Sequence, residues 1–232
     1  MRILLMASAF NSLTQRVLVE LEDRGHAVAV ELALDDDCWR EALRRHTPDL
    51  VVAPMLTTAI PEEVWSARTC LVVHPGPPGD RGPSALDWAL HEGVERWGVA
   101  VLQAEAEMDA GPVWASASFP VPPVGKSDLY RGEVADAALE AVLLAVERFA
   151  CGAHVPRRHP PAADGGGPGW RPYLGQEVRR IDWSRDSTGT VLRKLRAADS
   201  RPGVLEVFLG GEWYLHGGHV EDRLRGRPGR VL

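Results

Sequence analysis

Cysteine is scarce in this 232-residue chain. Cys38, Cys70 and Cys151 stand far apart and form no CxxC pair. That spacing argues against a disulfide framework and a structural zinc site, and it points to a reducing, cytoplasmic setting. Long apolar runs are missing too. No stretch approaches the roughly 18–20 residues of a membrane span, so a membrane partner is not expected. The opening MRILLMASAF could be mistaken for a signal peptide, but a helical pattern follows at once, and it reads as a first buried strand. The turn after that strand, ASAFNS, lacks the glycines of GxGxxG, which argues against a dinucleotide cofactor. A metal is not expected either: His216 and His219 form an HxxH pair with no third ligand near them. Positive charge is short in the front part. Residues 1–150 carry 12 Lys/Arg against 23 Asp/Glu, a balance of −11, while residues 151–232 carry 14 against 9, a balance of +5. A polyanion is therefore a poor partner for the front part, and nucleic acid is not expected. The eight tryptophans occur singly and read as core or interface anchors rather than a base-stacking platform.

What is present is the composition of a globular protein, 45% apolar and 25% charged. Short apolar runs at 2–7, 26–32, 49–54 and 70–73 alternate with helical spacing at 13–24, 35–45 and 60–65. Ser12 is the expected cap of the first helix, and Asp35 to Asp37 place acid at the start of the second. A helix over 84–93, strands over 97–104 and 112–120 and, within 126–150, the longest helix follow. This order predicts an α/β fold, a Rossmann-like, mostly parallel, doubly wound sheet, with strand order 3-2-1-4 as the working assumption. Prolines and glycines between 156 and 169 mark the clearest boundary. The expected organisation is a domain over 1–150, a linker over 151–173 and a small α+β or barrel-like domain over 174–232. The last contains a helix near 188–198 and a hairpin, and it ends in GRPGRVL, read as the opening of a further strand. A hairpin with one orphan strand is an incomplete barrel, so this domain reads as truncated.

The chain is organised around HPGPPGDRGP, residues 74–83, which follows the fourth strand. Four prolines and three glycines stiffen this loop and forbid helix. Ligands in open α/β sheets bind at the carboxyl ends of strands, so His74 is a catalytic candidate there. A surface histidine on a proline-rich turn is the other reading. If strands one and four are neighbours, the turn 8–12 faces His74, which makes Asn11 and Ser12 pocket candidates as well as turn former and cap. Asp109, in EAEMDAG between two strands, reads as either a turn former or a catalytic carboxylate.

His74, the PPGDRGPSALDWAL that continues it, Asp109-Ala110-Gly111 some 35 residues on, and RRIDW with RAADSRPG together resemble the folate-dependent formyltransferases in order and spacing. The likeness covers nearly the whole chain. FNSLTQR, HPGPPGDRGPSALDWA and VLRKLRAADSRPGV look specific to the hydrogenase-maturation branch of that family. The resemblance implies 10-formyltetrahydrofolate as donor, His74 as the proton-transferring residue and Asp109 as its support or relay. It implies a folate site between Pro54, Met55 and Leu56 on one side and Ala104, Ala106 and Met108 on the other. Arg81 would clamp its own loop or meet an anionic acceptor. In that branch the acceptor is coenzyme A. A further enoyl-CoA-hydratase-like domain then yields carbon monoxide for the iron of a [NiFe]-hydrogenase, which makes the hydrogenase maturation machinery the expected partner. One departure matters: the family's Asn two residues before the histidine is Val72 here. Losing an oxyanion donor typically costs about 10²–10³ in rate, and Asn11 is the expected substitute. The rival readings are formyl transfer to an aminoacyl-tRNA or a sugar amine, and a folate-binding scaffold without catalysis.

Overall fold

The computed structural model describes residues 1–158 and 169–230. Pro160, Pro161 and positions 165–168 of the expected linker lie outside the described residues. A six-stranded sheet forms from β1 (Arg2–Ala7), β2 (Ala27–Leu32), β3 (Leu50–Ala53), β4 (Cys70–His74), β5 (Arg96–Gln103) and β6 (Val113–Pro120). β1 to β4 are parallel, β5 runs antiparallel to β4, and β6 runs antiparallel to β5.

The apolar runs are continuous because both faces of this sheet are covered. Ile3, Leu5, Leu50, Val52 and Leu71 project to one face, where they meet Val17 and Leu21 of α1 (Ser12–Asp23) and Val142 and Val146 of α6 (Glu133–Cys151). Leu4, Met6, Val51 and Cys70 project to the other, against Trp39 and Ala42 of α2 (Asp36–His46) and Val64 of α3 (Glu62–Trp65). Each such side chain contributes about 1.5–3 kcal/mol by leaving water. The period of two along β4 therefore places Cys70, Val72 and His74 on the α2/α3 face. α4 (Ala85–Glu92) follows the loop that starts after His74.

The strand order is β2-β1-β3-β4-β5-β6. The 3-2-1-4 assumption is corrected: β3 lies between β1 and β4, and the crossover point falls between β1 and β3. The turn after β1 is tied to the loop after β3 instead, through Ser8 N to the Met55 carbonyl at 2.9 Å and Thr57 N to Ser8 Oγ at 2.9 Å. A smaller correction concerns the first helix. The cap of α1 is Asn11, whose Oδ1 accepts from Thr14 N at 2.9 Å, and Ser12 is the first helical residue. The stretch 126–150 holds most of α6, the longest described helix, preceded by α5 (Lys126–Arg131) and separated from it at Gly132.

At the end of the linker, segment 169–174 lies on the front domain and leads to α7 (Gln176–Arg179), α8 (Thr188–Ala197) and the hairpin β7 (Val204–Phe208) and β8 (Gly211–Leu215). Ala197 joins the cluster formed by Ala89, Leu90, Trp97 and Phe119. The strand expected at the end does not form over 226–230, whose tip is a turn. No described helix is long and apolar enough to cross a membrane.

Candidate active site

His74 is the last residue of β4 and is 4% exposed. The loop that follows keeps it engaged. Asp80 N donates to the Pro77 carbonyl at 3.0 Å, and this turn returns the Asp80 carboxylate to the imidazole, with Nε2 and Oδ2 2.9 Å apart. Gly76 permits that return: a Cβ there would lie 2.3 Å from Asp80 Oδ2 and 2.6 Å from His74 Nε2.

Asp109 arrives from the other side. Because β5 is antiparallel to β4, its last residue, Gln103, lies near the start of β4, beside Leu71. The connection to β6 must run back over the sheet to reach His74. Ala104 N donates to the Cys70 carbonyl at 2.7 Å, and Gln103 N to the Pro112 carbonyl at 2.9 Å closes the base of the loop. Gly111 passes so close to the Gln103 carbonyl that a Cβ would sit 1.8 Å from it. Asp109 itself adopts φ +57°, a left-handed conformation that Asp tolerates better than most residues. Its Oδ1 lies 3.3 Å from His74 Nδ1, and its Oδ2 accepts from Gly82 N at 3.1 Å.

The imidazole is thus held between two carboxylates. Burial opposes its charging, but hydrogen bonds to Asp109 and Asp80 outweigh that and raise its pKa from 6.5 to about 9. Asp109 is lowered: burial pushes it up, and the hydrogen bond and charge of His74, with help from Gly82 N and Arg81, push it down further.

The other expected positions fall around this pair. Leu56 and Ala104 pack on the same cluster as Val72, so the two expected folate loops meet on the His74 face of the sheet. Pro54 is buried directly after β3, Met55 and Met108 are exposed at 37% and 64%, and Ala106 is exposed. Arg81 pairs through Nη1 with Glu107 Oε1 at 2.6 Å, which joins its loop to the loop carrying Asp109. Its backbone N donates to the Gly169 carbonyl at 3.2 Å and its carbonyl accepts from Arg171 N at 3.0 Å. Asn11 is committed through Oδ1 to the α1 cap, and two strand spacings, about 10 Å, separate the ends of β1 and β4. The expectation that its turn faces His74 rested on a strand adjacency the sheet does not have.

Two site residues escape a sequence reading. Asp80 stands in the signature loop but has no spacing that marks it as a partner of His74. Arg171, whose Nη2 donates to Asp80 Oδ1 at 2.9 Å, comes from 91 positions further on.

A buried imidazole between two carboxylates, at the carboxyl end of a strand in a doubly wound sheet, is the equipment of a group-transfer enzyme that must move a proton. Comparison with known proteins gives the class. The family model described as formyl transferase matches residues 31–146, half of the chain, and the chain belongs to that family. Within it, the hydrogenase maturation factor HoxX of Bradyrhizobium diazoefficiens is 50% identical over all 232 residues, which cover 41% of HoxX. HypX from Aquifex aeolicus, solved in complex with tetrahydrofolic acid, superposes with a TM-score of 0.91 at 46% identity, over the whole of this chain and 40% of that one. Methionyl-tRNA formyltransferase from Clostridium thermocellum shares the fold, with a TM-score of 0.73 at 13% identity over 97% of this chain and 95% of that one. The chain spans about two fifths of the length of the HoxX and HypX relatives.

Proposed function

We propose that this chain transfers the formyl group of 10-formyltetrahydrofolate to coenzyme A, as a step towards the carbon monoxide ligand in [NiFe]-hydrogenase maturation. The observation that carries the reading is the His74–Asp109 pair facing the loops after β3 and β5, in a chain 46% identical to a HypX that binds tetrahydrofolic acid. Residues 1–150 form the transferase domain in this reading, 151–173 the linker and 174–232 the small second domain. The reaction is cytoplasmic, consistent with three cysteines that are all free. An enoyl-CoA-hydratase-like domain elsewhere in the full protein consumes the product, and the hydrogenase maturation machinery is the partner.

The chemistry follows from the site. From the state in which the imidazole is neutral, the acceptor thiol loses its proton to the His74–Asp109 pair and attacks the formyl carbon. The tetrahedral intermediate collapses by breaking the bond to N10, which takes a proton from the same pair and leaves as tetrahydrofolate. Formyl-CoA is the other product, so no proton is gained or lost overall. Pro54 to Leu56 and Ala104 to Met108 flank the folate, with backbone groups reading the pterin. Arg81 holds the two loops together through Glu107.

The test is tetrahydrofolate release from 10-formyltetrahydrofolate, with and without coenzyme A, by the wild type and by His74→Ala. Release that needs His74 and is accelerated by coenzyme A is expected, with a loss of about 10²-fold or more in the variant. Release indifferent to coenzyme A would mean hydrolysis to formate or point to another acceptor, a sugar amine or an aminoacyl-tRNA, which would then be added in turn. Folate binding without release would favour a scaffold role, the reading that Val72 supports.

A further inference from the structure

His74 has a second carboxylate, and the two differ in what they can reach. The Asp80 side chain is 0% exposed and the Asp109 side chain 19%. A carboxylate taken wholly out of water is stable as an anion only when it is paired. Asp80 has two charged partners among the described residues: His74 Nε2 on Oδ2 and Arg171 Nη2 on Oδ1, each at 2.9 Å.

Arg171 is itself fixed. Its Nη1 donates to Glu92 Oε2 at 2.9 Å, and its guanidinium lies 5.8 Å from the Trp88 ring and 5.6 Å from the Trp97 ring. Its backbone runs against the signature loop as a short parallel bridge between Arg81 and Trp170. The approach is so close that a Cβ on Gly82, at φ +111°, would lie 2.1 Å from the Arg171 carbonyl. Arg171 lies outside residues 31–146, the part the family model matches.

We infer that Asp80, clamped by Arg171 from segment 169–174, is a positioning residue that fixes the His74 imidazole through Nε2 and directs proton exchange with the substrate through Nδ1 and Asp109. The transferase site is completed by a residue from the end of the linker. Asp80 does for His74 what a buried aspartate does in other His–Asp arrangements, orienting the ring and stabilising its cation. Arg171 tempers that effect. Without its charge, Asp80 would hold His74 as an imidazolium over a wider pH range. The charged groups around the ring are Asp80 and Arg81 on the signature loop, Asp109 and Glu107 on the loop after β5, Arg171, and Glu92 on α4.

The kinetic half of this inference rests on the formyl-transfer reading, and the titration half does not. The ring resonances of His74 would be followed by NMR against pH in the whole chain. In Asp80→Asn the imidazolium should titrate at least one pH unit below wild type. In Arg171→Gln, which removes the compensating cation and with it the pairing to Glu92, it should titrate above wild type, and Arg171→Lys should restore most of the wild-type value. Formyl transfer by Asp80→Asn should lose roughly 10–10²-fold in kcat with KM for the folate unchanged, and its pH profile should move with the NMR titration. Variants that lower stability or kcat while His74 titrates as in wild type would reduce Asp80 and Arg171 to structural roles and overturn the inference. Opposite shifts in a chain that releases no tetrahydrofolate would support the relay and remove the formyl-transfer reading.

Discussion

At the scale of single residues, the site depends on His74 being able to hold a proton in a place without water. Its pKa is raised from 6.5 to about 9, so the bound proton stabilises the folded state. That contribution is fully present below about pH 6.5 and is lost as the pH rises through about 9, and it amounts to a few kcal/mol at most. Asp109, held below the usual carboxylate range, contributes in the opposite sense, and its share is lost only as the pH falls through its lowered value. Gly76→Ala separates these effects from the backbone. The added methyl intrudes between Asp80 and His74 while Gly76 itself needs no left-handed φ. The variant is expected to keep its far-UV circular dichroism and to lose at least about tenfold in formyl transfer. Its stability deficit against wild type, from urea titrations, should be widest near pH 6 and shrink towards pH 9. A deficit independent of pH would mean that the methyl acts by crowding alone. The local settings of His74 and Asp109, a strand end and a turn, leave a bland reading open for each, and it is the family resemblance that singles them out as a pair. Asp80 is not legible, because a carboxylate inside a Pro/Gly loop looks the same whether it turns inward or out.

At the scale of elements, nearly every strand and helix of the front domain follows from the spacing of apolar residues, since burial on one or two faces leaves a periodic trace. The order of strands leaves none. Parallel strands with buried faces carry similar Val/Leu runs, and nothing in CLVVH says whether its neighbour is DLVVA or RILLMA. That gap misplaced Asn11. Its observed role is local: an extended residue at φ −81°, ψ 177°, with its side chain on Thr14 N and Oγ1. Asn11→Ala should cost about 1 kcal/mol of stability, the usual worth of such a cap. It should leave formyl transfer within a few-fold of wild type, because the end of β1 lies two strands from His74. A fall of about 10²–10³ in kcat at unchanged folding would instead restore Asn11 as the oxyanion donor that Val72 does not supply.

At the scale of the whole molecule, the opposite charge of the two parts becomes specific contact rather than a diffuse field. Arg179 of α7 is 1% exposed, and its Nη2 lies 3.1 Å from Asp87 Oδ1 on α4. Lys126 of α5 meets the same oxygen at 2.9 Å, and the Arg179 guanidinium lies 5.5 Å from the Tyr173 ring. Leu174, fully buried, and Ala197 are further anchors of the back part, and Trp88 Nε1 donates to the Pro172 carbonyl at 2.8 Å. The composition shift and the Pro/Gly stretch suggest a change of unit, but they cannot show that the chain returns to lie on the front domain, because contacts across 90 residues have no sequence period. The two parts are therefore expected to unfold together. Asp87→Ala should cost about 3–5 kcal/mol in a single transition seen by both tryptophan fluorescence and circular dichroism, because Arg179 would remain buried without its counter-ion. Asp87→Ala combined with Arg179→Met should recover most of that loss, since the penalty lies in the unpaired charge and not in the absence of an attraction. Two separate transitions, or a single-variant cost below about 1 kcal/mol, would show that the parts are stable independently and that Arg171 reaches the loop after β4 from a segment free to leave it.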